Sequence, residues 1–130
     1  MMRVRYIAIF LCTVSTVAGC GKPKVQLQSV HGQTVEHWIS ELKRRDPKAR
    51  IAALSALQSV GAVDPLAVPA ITGALDDKVA KVRDAAVIAL LNTGPPAKDV
   101  VAALEKAKSD SDAMVRSHAE AALERIAPND

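Results

Sequence analysis

The chain has few aromatic residues and few cysteines. Tyr6, Phe10 and Trp38 are its only aromatics, so its core must be built from many small aliphatic contacts rather than a few large rings. Cysteine occurs only as Cys12 and Cys20. Cys12 lies in an apolar run that reads as a removable leader, which leaves one cysteine and no intramolecular disulfide. The sequence contains no Cys-x-x-Cys, no H-E-x-x-H, no Gly-rich phosphate loop and no G-x-S-x-G. These gaps remove the common zinc, nucleotide and serine-hydrolase signatures. Neither a metal, a small-molecule cofactor nor a catalytic group is expected.

An excess of one charge is missing too. Once Arg3 and Arg5 are set aside with the leader, 15 basic residues face 14 acidic ones, a net charge of +1. Such a domain has no electrostatic reason to seek nucleic acid or an anionic membrane surface.

The first twenty residues differ from the rest. Arg3 and Arg5 precede an uncharged run from Tyr6 to Cys20, apolar as far as Val17. That run falls short of the roughly 18 apolar residues that span a bilayer, and it fits a signal peptide. It ends in Val17-Ala18-Gly19-Cys20, which resembles the bacterial lipobox. The resemblance implies cleavage between Gly19 and Cys20, a diacylglyceryl thioether on the thiol, and acylation of the new amine. Several acyl chains anchor more firmly than one, since each buried methylene contributes about 0.8 kcal/mol. The competing reading is an ordinary secretory signal with a chance cysteine after its cleavage site. Gly21, where Asp would retain a lipoprotein in the inner membrane, favours the outer membrane in a cell that has one. The expected product is exported and lipid-anchored, with its domain in the periplasm or outside the cell.

The expected organisation is a signal peptide over 1–19, a lipidated Cys20 with a flexible tether to 33, and a repeat domain over 34–127. The tether carries Gly, Pro, Gln and Ser without sustained periodicity. His31 lies in it without a partner and reads as a surface residue.

The repeat has a period of 33 residues. Arg50, Arg83 and Arg116 share one register, and so do Ala53, Ala86 and Ala119. Ala56, Ala89 and Ala122 follow, then Leu57, Leu90 and Leu123, then Gly61, Gly94 and Ala127. Upstream, Val35, Val68 and Val101 align, as do Trp38, Ile71 and Leu104. The units are about 34–61, 66–94 and 97–127. Each holds two helical stretches, the second marked by apolar residues at three- and four-residue steps. Thr34 is placed to cap the first helix, and Asp46-Pro47 opens the second as N-cap and N1. Pro65 and Pro69 fit only the early turns of the third, which should be short or kinked. Gly61 and Gly94 are expected to end their helices as left-handed caps.

A 33-residue period also suits ankyrin and tetratricopeptide arrays. Ankyrin's T-P-L-H-x-A finds only Asp64-Pro65-Leu66-Ala67, and the mature chain lacks the Tyr and Phe of tetratricopeptides. The copies instead resemble the short bacterial HEAT-like repeat, of the type seen in phycobilisome lyase-like proteins. Its second helix reads D-x-x-V-R-x-x-A-x-x-A-L. Here it runs from Asp46 through Arg50 to Leu57, and recurs through Arg83 to Leu90 and from Asp112 through Arg116 to Leu123. Ala67-Val68-Pro69-Ala70-Ile71 resembles that family's first helix. Ala49, Val79 and His118 depart from the pattern and make any stacked ladder imperfect. The resemblance implies an all-α fold: a short α-solenoid of three HEAT-like helical hairpins in a right-handed superhelical stack.

The terminal copies should act as caps. Where the second helices carry Leu54 and Val87, the third carries Glu120; where they carry Gln58 and Leu91, it carries Glu124. The first helix has Glu36, His37, Ser40 and Glu41 opposite Pro69, Ala70, Gly73 and Ala74. Polar outer faces suggest that the array stops there.

The repeated arginine needs a physical account, because a cation in a helix's first turn opposes the dipole by up to about 1 kcal/mol. Nearby turn acids are the expected partners: Asp46 for Arg50, Asp76 or Asp77 for Arg83, Asp110 or Asp112 for Arg116. The functional alternative is an anion-binding ladder. His37 and His118 fall on opposite terminal units and support no shared site. Trp38 should pack in the core. Lys43, Arg44, Arg45, Lys48, Lys78 and Lys81 form a turn edge interleaved with Asp46, Asp76 and Asp77, read as mixed-charge surface or as a patch for an acidic partner.

The leading functional expectation is a membrane-tethered scaffold that binds another envelope protein. Its surface should be the second helices, around Lys48, Ser55, Lys81, Ile88 and Asn92. The alternatives are an enzyme-like or ligand-binding role related to HEAT-like lyases, and a purely structural envelope component.

Overall fold

The computed structural model describes residues 31–93 and 98–126. The leader, Cys20, most of the tether, Gly94 and Ala127 lie outside the described residues. Among the described residues the chain forms six α-helices: α1 (Val35–Glu41), α2 (Pro47–Gln58), α3 (Ala67–Gly73), α4 (Ala80–Asn92), α5 (Lys98–Ala107) and α6 (Ala113–Ile126).

Local chemistry sets most of the boundaries. The Thr34 hydroxyl accepts the His37 N–H at 3.3 Å and starts α1. Asp46 accepts the Lys48 N–H at 3.0 Å, with Pro47 in the first turn of α2 where a missing N–H costs nothing. Asp112 accepts the N–H groups of Met114 and Val115 and starts α6. At the same register α4 has Val79, which makes no side-chain cap. The Asp77 carboxylate receives the Val79 N–H instead, at 2.8 Å. Pro69 falls in the first turn of α3, and that helix closes in a 3-10 turn over Ala74–Asp76. It is short, as its prolines imply.

The helices form three antiparallel pairs, α1–α2, α3–α4 and α5–α6, stacked so that α4 lies between α2 and α6. This is a short α-solenoid. Alanines at the matched positions let the second helices approach closely: Ala53, Ala56, Ala86, Ala89, Ala119 and Ala122 are all buried. Around them Leu54, Leu57, Ile71, Val87, Leu90 and Leu104 are sealed from solvent. Each such side chain contributes roughly 1.5–3 kcal/mol, and most of that burial is against a neighbouring helix. No single pair could bury its own apolar face, so the pairs are stable only together.

Two expectations need correction. Gly61 is not a left-handed cap. Ser59, which caps α2, is right-handed, and the last N–H groups bond three residues back, as Ser59 does to Ala56 and Val60 to Leu57. Glycine is needed for a different reason: a Cβ at position 61 would lie 2.6 Å from the Thr93 Cβ. The α2 and α4 ends meet there at backbone range. Trp38 keeps the register of Ile71 and Leu104 but is only half-buried, packed on the core from one side. Its ring meets that of His37 edge-on at 5.3 Å between centroids.

Candidate functional site

The three arginines occupy equivalent places in the first turn of α2, α4 and α6, and each is oriented by its own preceding turn. Arg50 Nη1 donates to the carbonyls of Arg44 and Arg45 at 2.6 and 3.0 Å. Arg83 Nη1 donates to that of Asp77 at 2.9 Å. Arg116 Nη1 donates to those of Asp110 and Ser111 at 2.7 and 3.1 Å. These carbonyls, at the mouth of each turn, offset the unfavourable helix dipole locally.

The acids are not the expected ones. Arg50 and Arg83 each reach forward into the next unit, 27 residues on. Arg50 Nη2 donates to Asp77 at 3.1 Å, and its Nε lies 2.8 Å from the other carboxylate oxygen without an aligned hydrogen bond. Arg83 grips Asp110 with both Nε and Nη2, at 2.8 and 2.7 Å. Asp46, expected beside Arg50, caps α2; Asp112, expected beside Arg116, caps α6. Asp77 pairs with Arg50 rather than Arg83, to which it offers only its carbonyl. Asp110 serves Arg83. Arg116 has no carboxylate partner among the described residues.

The Arg83–Asp110 step perturbs both groups. The hydrogen bond from Arg83 holds the Asp110 carboxyl below the usual carboxylate range, against a desolvation that acts the other way. The same bond raises the Arg83 guanidinium above its ordinary value. The ladder is therefore a set of inter-unit clamps, and its anionic positions at Arg50 and Arg83 are filled by the chain itself.

A groove of about 490 Å³ runs along the second helices. Its lining includes Ile51 of α2, Lys81, Ala85 and Ile88 of α4, and Met114 of α6. Ile88 is 40% and Met114 59% exposed, although both are large and apolar. Asp84 also borders it and is bound by His118 Nδ1 at 2.5 Å, which ties α6 to α4. Of the five residues expected on this surface, Lys81 and Ile88 line the groove, while Lys48, Ser55 and Asn92 are exposed outside it. Ser55 and Asn92 donate to their own helix, to the carbonyls of Ile51 and Ile88. Met114 and the Asp84–His118 pair were missed in the sequence. Met114 shares the register of Lys48 and Lys81, so the surface was signalled but not its apolar end. The pair spans 34 residues, one more than the repeat.

Among the described residues no group of three or more His, Cys, Asp or Glu side chains could hold a metal ion, and no helix is long and apolar enough to cross a membrane. No curated protein matches the chain. The family of HEAT repeats matches residues 35–124, from the start of α1 to the last turn of α6. With the stacked hairpins and the repeated arginine step, that match covers well over half of the 130 residues, and the chain belongs to the HEAT repeat family.

Proposed function

We propose that this protein is a non-catalytic interaction scaffold of the bacterial cell envelope, held to a membrane by lipid on Cys20 and binding a protein along its second helices. HEAT repeats are generally protein-interaction scaffolds, which supports the first half of this reading. The observation that carries it is the groove, where the exposed Ile88 and Met114 gather beside Ile51 and Ala85; the other exposed large aliphatics, Val63 and Leu66, lie in the turn before α3. Exposed apolar side chains gathered in a concavity mark binding surfaces more often than isolated ones do. The lipobox-like Val17-Ala18-Gly19-Cys20 supports the anchor.

Both halves can be tested separately. Mass spectrometry of the mature amino terminus should find a multiply acylated Cys20; an unmodified terminus at Gly21 or beyond would remove the anchor. Affinity capture from intact envelopes should give one stoichiometric protein with the native chain and none with Ile88→Asp. Equal capture by both would move the binding surface elsewhere.

A further inference from the structure

The basic turn edge looks balanced in sequence, because Asp46, Asp76 and Asp77 are interleaved with its cations. In the fold two of those acids are paired with cations, and the third caps a helix while keeping its charge. Asp46 caps α2, Asp77 holds Arg50 and the Val79 N–H, and Asp76 pairs with Lys106 at 2.7 Å. Lys43, Arg45, Lys48, Lys78 and Lys81 are left exposed, with no carboxylate partner among the described residues. Arg50 bonds both the Arg44 and Arg45 carbonyls and Asp77, so the two turns that carry these cations are adjacent.

This patch adjoins the apolar groove. Lys48 and Lys81 sit one turn before Ala52 and Ala85, and Lys81 itself lines the groove beside Ile88 and Met114. Two carboxylates also line the groove: Asp84, held by His118, and Asp112, which caps α6 and keeps its charge. Five exposed cations outnumber Asp46, Asp84 and Asp112, so the edge keeps an excess of positive charge beside an apolar floor. A partner that matches it carries carboxylates next to large apolar side chains. No strand of this fold is available for edge pairing among the described residues, whereas an amphipathic helix fits a groove between parallel helices. A lipid surface would meet the same cations, and vesicle binding distinguishes it from a helix.

We propose that the groove takes an acidic amphipathic helix of another protein, its apolar face over Ile88 and Met114 and its carboxylates at Lys48 and Lys81. This rests on the inner face being the binding surface.

The test uses fluorescein-labelled synthetic helices that share one leucine face and differ only in polar positions: glutamate, glutamine or lysine. Each is titrated with the purified full chain by fluorescence polarisation, with phosphatidylglycerol vesicles in parallel. The glutamate helix should bind about tenfold tighter than the glutamine helix, the lysine helix weakest, with the order compressed by salt. Lys48→Glu/Lys81→Glu should reverse that order while its melting curve stays unchanged, because both side chains are exposed. Equal binding of the glutamate and glutamine helices, or an order unaltered in the variant, overturns the acidic partner. If Ile88→Asp still abolishes binding in that event, the groove stands and only the partner's charge was wrong. If Ile88→Asp changes nothing, the groove itself falls. Vesicle binding that exceeds helix binding and disappears in the lysine variant assigns the patch to lipid and overturns the proposal.

Discussion

Arg83 and Lys81 lie two residues apart at the start of α4 and meet different fates. Arg83 is clamped by the Asp110 carboxylate and the Asp77 carbonyl. Lys81 points to solvent beside the groove with no carboxylate partner among the described residues. The first cation belongs to the joint between units and the second to the surface the joint creates. A residue's charge alone does not say which. The deciding factor is whether the next turn delivers an acid within reach, and stacking sets that.

The comparison breaks most visibly if Arg83 is removed. Arg83→Ala leaves Asp110 poorly solvated and unpaired, and should cost about 2–4 kcal/mol in denaturant unfolding. Arg116→Ala, which removes an arginine in the same local setting but without a carboxylate, should cost no more than about 1 kcal/mol. Equal losses would mean that the carbonyl contacts, common to both, carry the stability.

The opposite edge of the α2–α4 pair is held by fit rather than charge. Gly61→Ala drives a methyl group into Thr93 and should destabilise by roughly 1–3 kcal/mol. Thr93→Gly in that background should recover part of the loss; no recovery would place the strain elsewhere.

Acid titration sharpens the same contrast. The native pKa of Asp110 is lowered by Arg83, so the unfolded carboxylate, at about 3.9, takes up its proton first as pH falls. The contribution is complete above that value and is lost as pH drops through the lowered native one. Asp110→Asn should therefore be less stable at neutral pH and lose less on acidification. Parallel curves for the two proteins would contradict the pair's role. At the small end, Lys81→Glu should change stability by less than about 0.5 kcal/mol while altering what binds the groove.

Much of this was legible in the sequence. The period, the helix starts at Thr34 and Asp46, and the buried alanine and leucine registers follow from local rules of capping and helical spacing. The partners of the ladder did not, because proximity in sequence favoured Asp46 for Arg50 while stacking brings Asp77 closer. A signal was present: Asp77 and Asp110 each lie 27 residues after an arginine. Gly61 misled for a similar reason. A glycine after a helix usually relieves backbone strain, but here it makes room for a side chain from the next unit. Only tertiary contact distinguishes these cases. The charge of the turn edge was equally hidden, since it depends on which acids the fold has already used.

The most direct test of the scaffold reading is photo-crosslinking in intact envelopes from a benzoylphenylalanine at position 88, in the groove, with position 102 on the exposed side of α5 as the control. The account predicts one discrete protein adduct from position 88 and none from 102. No adduct from 88, or the same adducts from both, would contradict it.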